Sequence, residues 1–146
     1  MLDRVLISQV QRRVEASGLP LTDGVPAVQH QTRHLLRQGF DFIKVCTTGG
    51  IVSPTDHPED TEWTMDELHA IVHEAKAKSR AVMAHAQGTQ GIKNAVMAGV
   101  WSVEHGTMLD DEAVDMMLAA GTYLVPTLFI WNFNLKHGRD IGLPPY

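Results

Sequence analysis

The sequence predicts an α/β domain in which parallel strands are joined by crossover helices. Three observations predict it: short apolar runs alternate with amphipathic stretches, the connections are short, and the apolar runs lack a clean polar–apolar alternation. Parallel sheets are buried on both faces, so their strands are expected to be nearly continuous apolar runs. Periodicity leaves a small open sheet and a piece of a closed barrel as alternatives, because 146 residues are too few for eight strand–helix units.

The candidate strands are five apolar runs, at residues 5–8, 40–45, 81–86, 100–105 and 123–128. Helices are expected between them because each intervening stretch carries start and stop signals. Pro26 suits a first helical turn, and Gly39 ends that helix. Thr64 and Glu67 have the spacing of a capping box, and Asp110 is a helix cap. Two further helices are expected to end at Gly99 and Gly121.

Composition narrows the class of protein. Hydrophobic residues make up 44% and charged residues 20%, a balance typical of a globular domain and not of a disordered chain. The net charge of −5 argues against a nucleic-acid partner. No apolar run is long enough to span a membrane, and the first residues lack a secretory signal. Cys46 is the single cysteine, which excludes an internal disulfide and fits a reducing compartment, so we expect a cytoplasmic protein.

Lys44, His85 and His105 share one feature: each lies at or near the C-terminal end of a different predicted strand. Parallel α/β folds place their reactive groups at that edge. Lys44 lies inside an apolar run, where an isolated charge is costly to bury, so it must be paired, neutralised or modified. A neutral imidazole is a common ligand of zinc and similar ions. The pattern therefore predicts a shared site, although each residue alone is more often structural.

These residues lie in segments that resemble the amidohydrolase superfamily, above all its prolidase-like and imidazolonepropionase-like branches. The resemblance covers about residues 22 to 146. It rests on the combination of five segments and not on any one of them. They are Phe40-Asp41-Phe42-Ile43-Lys44-Val45, Met83-Ala84-His85-Ala86, Gly99-Val100-Trp101-Ser102-Val103-Glu104-His105-Gly106-Thr107, Leu109-Asp110-Asp111-Glu112-Ala113 and Val125-Pro126-Thr127-Leu128.

The resemblance implies a metal-dependent hydrolase of C–N bonds, built as part of a TIM (β/α)₈ barrel. Lys44 matches the lysine that this family carboxylates to bridge two metals, and it is the catalytic candidate. His85 and His105 match histidines that bind the second metal, so Lys44, His85 and His105 are the metal candidates. Two divalent ions, expected to be zinc, would act on an amide, a dipeptide or a cyclic amide through metal-bound hydroxide.

The sequence departs from the family pattern at two places. It contains no His-x-His pair, which the family carries on its first strand, and no aspartate on an eighth strand. The five predicted strands would be the third to the seventh of the barrel. Residues 1–146 would then form one incomplete amidohydrolase-related domain without the first, second and eighth strands. We expect such a segment to be inactive alone, with open sheet edges through which copies could associate.

Five other features have both a possible functional role and an ordinary structural one. Gln87 stands where many relatives carry a second histidine and could line the substrate pocket, and His137 could touch substrate. Two histidine pairs with helical spacing, 30/34 and 69/73, could hold a metal but more often are solvated. Cys46 is expected to be a small buried apolar group.

Two alternatives to a hydrolase remain open. Phe42-Ile43-Lys44 followed by Thr-Thr-Gly also resembles the lysine strand of deoxyribose-phosphate aldolases, which would make Lys44 a Schiff-base nucleophile. That reading assigns no role to His85 or His105. The other alternative is a non-catalytic truncated barrel that oligomerises. For the hydrolase we expect a small-molecule or dipeptide substrate, with no nucleic-acid or membrane partner.

Overall fold

The computed structural model describes residues 22–51, 57–140 and 142, and in them an α/β fold with a parallel sheet. Four strands lie side by side in the order of the sequence. They are β1 (Phe42–Cys46), β2 (Ala81–Ala86), β3 (Ser102–His105) and β4 (Tyr123–Val125). The helices are α1 (Val25–Arg37) before β1, α2 (Met65–Lys76), α3 (Thr89–Ala98) and α4 (Asp111–Ala120) between successive strands, and α5 (Leu128–His137) after β4. The predicted strand at residues 5–8 lies outside the described residues.

The helix boundaries follow the predicted caps. Thr64 Oγ1 accepts a hydrogen bond from the Glu67 amide at 3.3 Å, and the Glu67 carboxylate accepts one from the Thr64 amide at 2.9 Å. The other Glu67 oxygen accepts from the amide of Gly24, the residue before α1, at 2.8 Å. The Asp110 carboxylate accepts from the Ala113 amide at 2.8 Å. These bonds satisfy amides that the first turn of a helix leaves without backbone partners.

One prediction fails after β4. The sequence predicts a single strand over the apolar run at 123–128, but the strand ends at Val125 and α5 begins at Leu128. Pro126 has no N–H to donate to a strand ladder, which explains the end of pairing. Thr127 then adopts a left-handed conformation with φ 47° and turns the chain into the helix. Hydrophobic periodicity could not separate these two apolar segments.

The hydrophobic core lies between one face of the sheet and the helices. Ile43, Val45, Ala84 and Val103 point to that face and are fully buried. The opposite face is partly open, so burial alternates along β2 from intermediate to buried. The expectation that the strands are covered on both faces is therefore wrong for β2, whereas the first three residues of β3 are all buried. Within the described ranges, no helix is both long and apolar enough to cross a bilayer.

Candidate functional site

The partly open face of the sheet carries the predicted site residues. Lys44 pairs in register with Met83, and two residues further along β2, His85 lies opposite both Cys46 and Glu104. Side chains two residues apart on a strand point to the same face, so Lys44, His85 and Glu104 share this face, away from the helices. His105 ends β3 beside Ala86. We refer to Lys44, His85, Glu104 and His105 as the candidate site.

The two histidine rings of the candidate site are in contact. Their centroids lie 4.7 Å apart, with the ring planes at 71° to each other. His85 Nε2 lies 3.3 Å from the Gly49 carbonyl oxygen. A carbonyl only accepts, so this nitrogen carries the proton and Nδ1 keeps its lone pair. Burial, followed by the nearby charges of His105 and Lys44, lowers the pKa of His85 to about 4. His85 is therefore neutral near pH 7, which a metal ligand requires.

His105 has an unusual backbone and a defined partner. Its φ of 74° lies in the left-handed region, which residues with a Cβ seldom adopt. Its Nδ1 lies 2.7 Å from Thr127 Oγ1, and this leaves Nε2 outside that hydrogen bond. Burial, followed by the charge of Lys44, lowers the pKa of His105. The neutral ring can thus present Nε2 as a ligand when Nδ1 is the protonated nitrogen.

Lys44 forms an ion pair with Glu104, two strands away. Both side chains are largely buried, with 14% of Lys44 and 11% of Glu104 exposed. Ser102 Oγ donates a hydrogen bond to the second Glu104 oxygen at 2.6 Å. Burial lowers the pKa of Lys44 to about 8. About a tenth of the amine is therefore neutral at pH 7, and the neutral amine is the form that acts as a nucleophile.

Glu104 has no role in the sequence prediction, yet its carboxylate pairs with the ammonium group of Lys44. A signal was present in the sequence. Glu104 is an acid inside an otherwise apolar run, and it alternates with Ser102, which places both side chains on one face of β3. A buried acid requires a partner. The sequence does not show that this partner is Lys44, because the two residues meet only through the register of β1 with β2 and of β2 with β3.

Gln87 and His137, the predicted substrate contacts, lie in different settings. Gln87 is only 3% exposed, and its Oε1 lies 3.5 Å from Thr107 Oγ1. Its backbone amide donates to Thr48 Oγ1 at 3.0 Å. His137 ends α5 and is exposed, with its ring 4.9 Å from that of Phe133 on the same helix. The described contacts thus join Gln87 to the loops around the site and His137 to its own helix.

The remaining candidates lie where ordinary structural roles would place them, either buried in the core or exposed on the surface. Cys46 is buried at the end of β1. All four histidines of the two helical pairs are exposed, and the ring of His34 contacts the Gln38 amide. Among residues 22–51, 57–140 and 142, no three His, Cys, Asp or Glu side chains form a group able to hold a metal. A metal site in this part of the chain would therefore include a ligand of another kind.

The low pKa of His85 predicts an acid-sensitive fold. As the pH falls from about 6.5 to about 4, the unfolded chain takes up a proton on His85 while the folded chain does not. The free energy of unfolding should therefore decrease through this window, by up to about 3 kcal/mol. Urea unfolding of the metal-free chain at several pH values measures this slope. His85→Asn should flatten it, whereas His69→Asn, at an exposed position, should not; equal slopes in all three proteins would contradict the assignment.

Comparison with known proteins shows the family to which the chain is similar. The model of the amidohydrolase family matches residues 2–145. Ochratoxinase of Aspergillus niger is 38% identical over 112 residues, which cover 77% of this chain and 23% of that protein. This chain thus spans about a quarter of the length of the curated relatives it matches.

Solved structures with a similar sequence and fold include prolidase-like enzymes. A prolidase complexed with N-methylphosphonate-L-proline is 40% identical, with a TM-score of 0.78 over 85% of this chain and 30% of that one. A Xaa-Pro dipeptidase with bound methionine is 38% identical, with a TM-score of 0.77 over 84% of this chain and 30% of that one. The predicted fold class and the prolidase-like resemblance are confirmed by these neighbours, of which the chain covers only part.

Proposed function

The chain belongs to the amidohydrolase family, and on that premise we propose that it contributes metal ligands to a hydrolase of C–N bonds. The substrate class is an amide, a dipeptide or a cyclic amide, and the prolidase and Xaa-Pro dipeptidase neighbours favour a dipeptide with a C-terminal proline. The observation that carries the proposal is the contact between the neutral rings of His85 and His105. Lys44 lies close enough for its charge to lower the pKa of both rings.

The donor set fits a divalent metal. His85 Nδ1 and His105 Nε2 are the ring nitrogens that the hydrogen bonds to Gly49 and Thr127 leave uncommitted. Nitrogen and oxygen donors of this kind suit zinc and also manganese, iron or cobalt. A bound metal would supply a water of lowered pKa and polarise the substrate carbonyl. His85 and His105 would hold the metal through neutral rings, which their hydrogen-bond partners Gly49 and Thr127 orient.

Lys44 would supply the third ligand after carboxylation. The neutral amine attacks carbon dioxide, a bond forms between Nζ and the carbon, and the displaced proton passes to solvent. The product is a carbamate with anionic oxygen donors, and the nitrogen retains one N–H. Burial favours this reaction because it lowers the pKa of the amine to about 8. Glu104 is placed to accept the remaining N–H, because its carboxylate already contacts Nζ.

The place of the chain within a barrel is part of the same proposal. We take residues 1–146 to form the third to the seventh strand units of the domain, with the open sheet face turned toward the barrel interior. Support comes from apolar side chains that β4 and α5 leave exposed: Tyr123, Leu124, Val125, Leu128, Phe129 and Leu135. Self-association through this surface and a cytoplasmic location stay predictions. The Schiff-base aldolase alternative gains no support from the family match.

Metal binding by the chain tests the proposed function. We expect it to bind zinc or cobalt, and His85→Ala, His105→Ala and Lys44→Met each to weaken binding about 100-fold. The reason is that zinc sites with four ligands gain about 10–16 kcal/mol, or about 3 kcal/mol per ligand. Isothermal titration measures the affinity, and labelled bicarbonate should give a carbamate signal that Lys44→Met abolishes. Hydrolysis is not the readout, because three ligands alone are not expected to support it.

Matched variants separate the site from surface binding. His73→Ala and Lys78→Met change exposed residues of the same types and should leave the affinity unchanged. Equal zinc affinity in the parent chain and in a variant that lacks all three ligands would overturn the proposal. A borohydride-trapped adduct on Lys44 with a small aldehyde would instead favour the aldolase.

A further inference from the structure

Thr127 is tied to His105 by the hydroxyl of its side chain. Its Oγ1 lies 2.7 Å from His105 Nδ1, although 22 residues separate the two in sequence. Thr127 is also the residue before α5, a position where a threonine hydroxyl ordinarily accepts a bond from a backbone amide of the first turn. It makes no such bond here. The hydroxyl is therefore committed to the imidazole and not to the helix.

The backbone at both ends of this hydrogen bond is strained. Thr127 has φ 47° and ψ 42°, and His105 has φ 74°. A β-branched residue in the left-handed region is a conformational outlier, and such residues cost of order 1–3 kcal/mol each. Strain of this size persists where the surrounding structure or the function requires it. Here the two strained residues hold each other's side chains at the candidate site.

The ring of His105 is held from two other directions as well. The ring of His85 lies 4.7 Å away, and the ring of Trp131 lies 6.4 Å away, nearly perpendicular to it. These two neighbours restrict how the ring of His105 can turn, but they do not determine which ring nitrogen carries the proton. Nδ1 is the nitrogen that faces Thr127. If Nδ1 carries the proton, Nε2 keeps its lone pair and is free to bind a ligand.

We propose that Thr127 is a positioning residue that accepts the Nδ1–H of His105 and so fixes the tautomer in which Nε2 is free to bind metal. This inference rests on the proposed function of the site and deepens it, because it assigns a role to a residue outside the ligand set. The opposite arrangement, with the threonine hydroxyl donating to Nδ1, would place the proton on Nε2 and block binding.

Three variants of the whole chain test the role of the hydroxyl. Thr127→Val keeps the β-branched shape and the backbone strain but removes the hydroxyl, whereas Thr127→Ser keeps the hydroxyl. Thr122→Val is the matched control, because the Thr122 hydroxyl donates to the Val100 carbonyl at 3.3 Å and does not contact the site. Nitrogen NMR of the histidine-labelled, metal-free chain reads the tautomer of His105, and competition with a chelating dye reads zinc affinity.

We expect His105 to carry its proton on Nδ1 in the parent chain and in Thr127→Ser, and to become a mixture of tautomers in Thr127→Val. Zinc affinity should fall about 10- to 100-fold in Thr127→Val, the loss typical of a missing partner to a metal-bound histidine. It should be retained in Thr127→Ser and Thr122→Val. A proton on Nε2 in the parent chain, or equal affinity loss in the valine and serine variants, would overturn the inference.

The outcomes also separate this inference from the proposed function. If the parent chain binds no zinc but Thr127→Val still changes the tautomer, the metal site fails and the positioning role stands. If His85→Ala and Lys44→Met weaken zinc binding while Thr127→Val does not, the metal site stands and the role of Thr127 fails. Should Thr127→Val not fold, the parent tautomer and the serine variant still decide.

Discussion

Replacement of Glu104 by alanine should lower the free energy of unfolding by about 3–5 kcal/mol, the usual cost of removing one partner of a buried ion pair. Only 14% of the Lys44 side chain is exposed, so its ammonium group would lose its carboxylate without gaining water. The Ser102 hydroxyl would lose its acceptor at 2.6 Å as well. Lys44 could avoid an unpaired buried charge by losing its proton, since burial already lowers its pKa to about 8. Deprotonation at pH 7 also costs free energy, however, because the pKa still lies above that pH. Urea unfolding in the absence of metal measures the loss.

Two further variants show whether the cost comes from the buried charge. Lys44→Met combined with Glu104→Gln removes both charges and keeps similar volumes, so it should recover most of the stability. Glu74→Ala breaks another pair, but its partner Arg33 is 51% exposed and can be hydrated, so the loss should be smaller. Glu104→Ala and Glu74→Ala losing the same stability would contradict the buried-pair explanation.

The position of the metal candidates could be predicted because it depends on a rule that needs no tertiary detail. Parallel strands all end at one edge of the sheet, so Lys44, His85 and His105 must approach one another if their runs are strands. The contact between the two histidine rings agrees with this expectation. Helix ends were predictable for a similar reason, since the bonds between Thr64 and Glu67 are local in sequence.

The partners of these residues were not predictable, because they come from segments that the sequence leaves unconnected. Glu104 reaches Lys44 only through the register of β1 with β2 and of β2 with β3. Thr127 reaches His105 only because the chain turns after Pro126, where periodicity predicted a continuing strand. The residue types of the candidate ligands can thus be predicted from the sequence. The residues that set the charge of Lys44 and the tautomer of His105 cannot, because tertiary packing brings them there.

The loop between β1 and α2 illustrates the same dependence and leads to the second large effect. Gly91, in the first turn of α3, lies against this loop so closely that a Cβ would stand 2.2 Å from Thr48 Cγ2 and 2.9 Å from the Thr47 carbonyl oxygen. Thr48 cannot turn aside freely, because it is fully buried and its hydroxyl bonds the Gln87 amide and the Gly49 carbonyl. Gly91→Ala must therefore displace the loop backbone.

We expect Gly91→Ala to destabilise the chain by about 2 kcal/mol, the balance of about 3 kcal/mol of overpacking and about 1 kcal/mol of helix propensity gained. The melting temperature should fall by about 4–8 °C. Since the Gly49 carbonyl accepts from His85 Nε2, movement of the loop should also weaken zinc binding. Gln90→Ala changes the exposed neighbour in the same turn and should alter neither property. A Gly91→Ala chain more stable than the parent would show that the loop yields without cost, and an unchanged zinc affinity would show that the Gly49 carbonyl does not hold His85 in place.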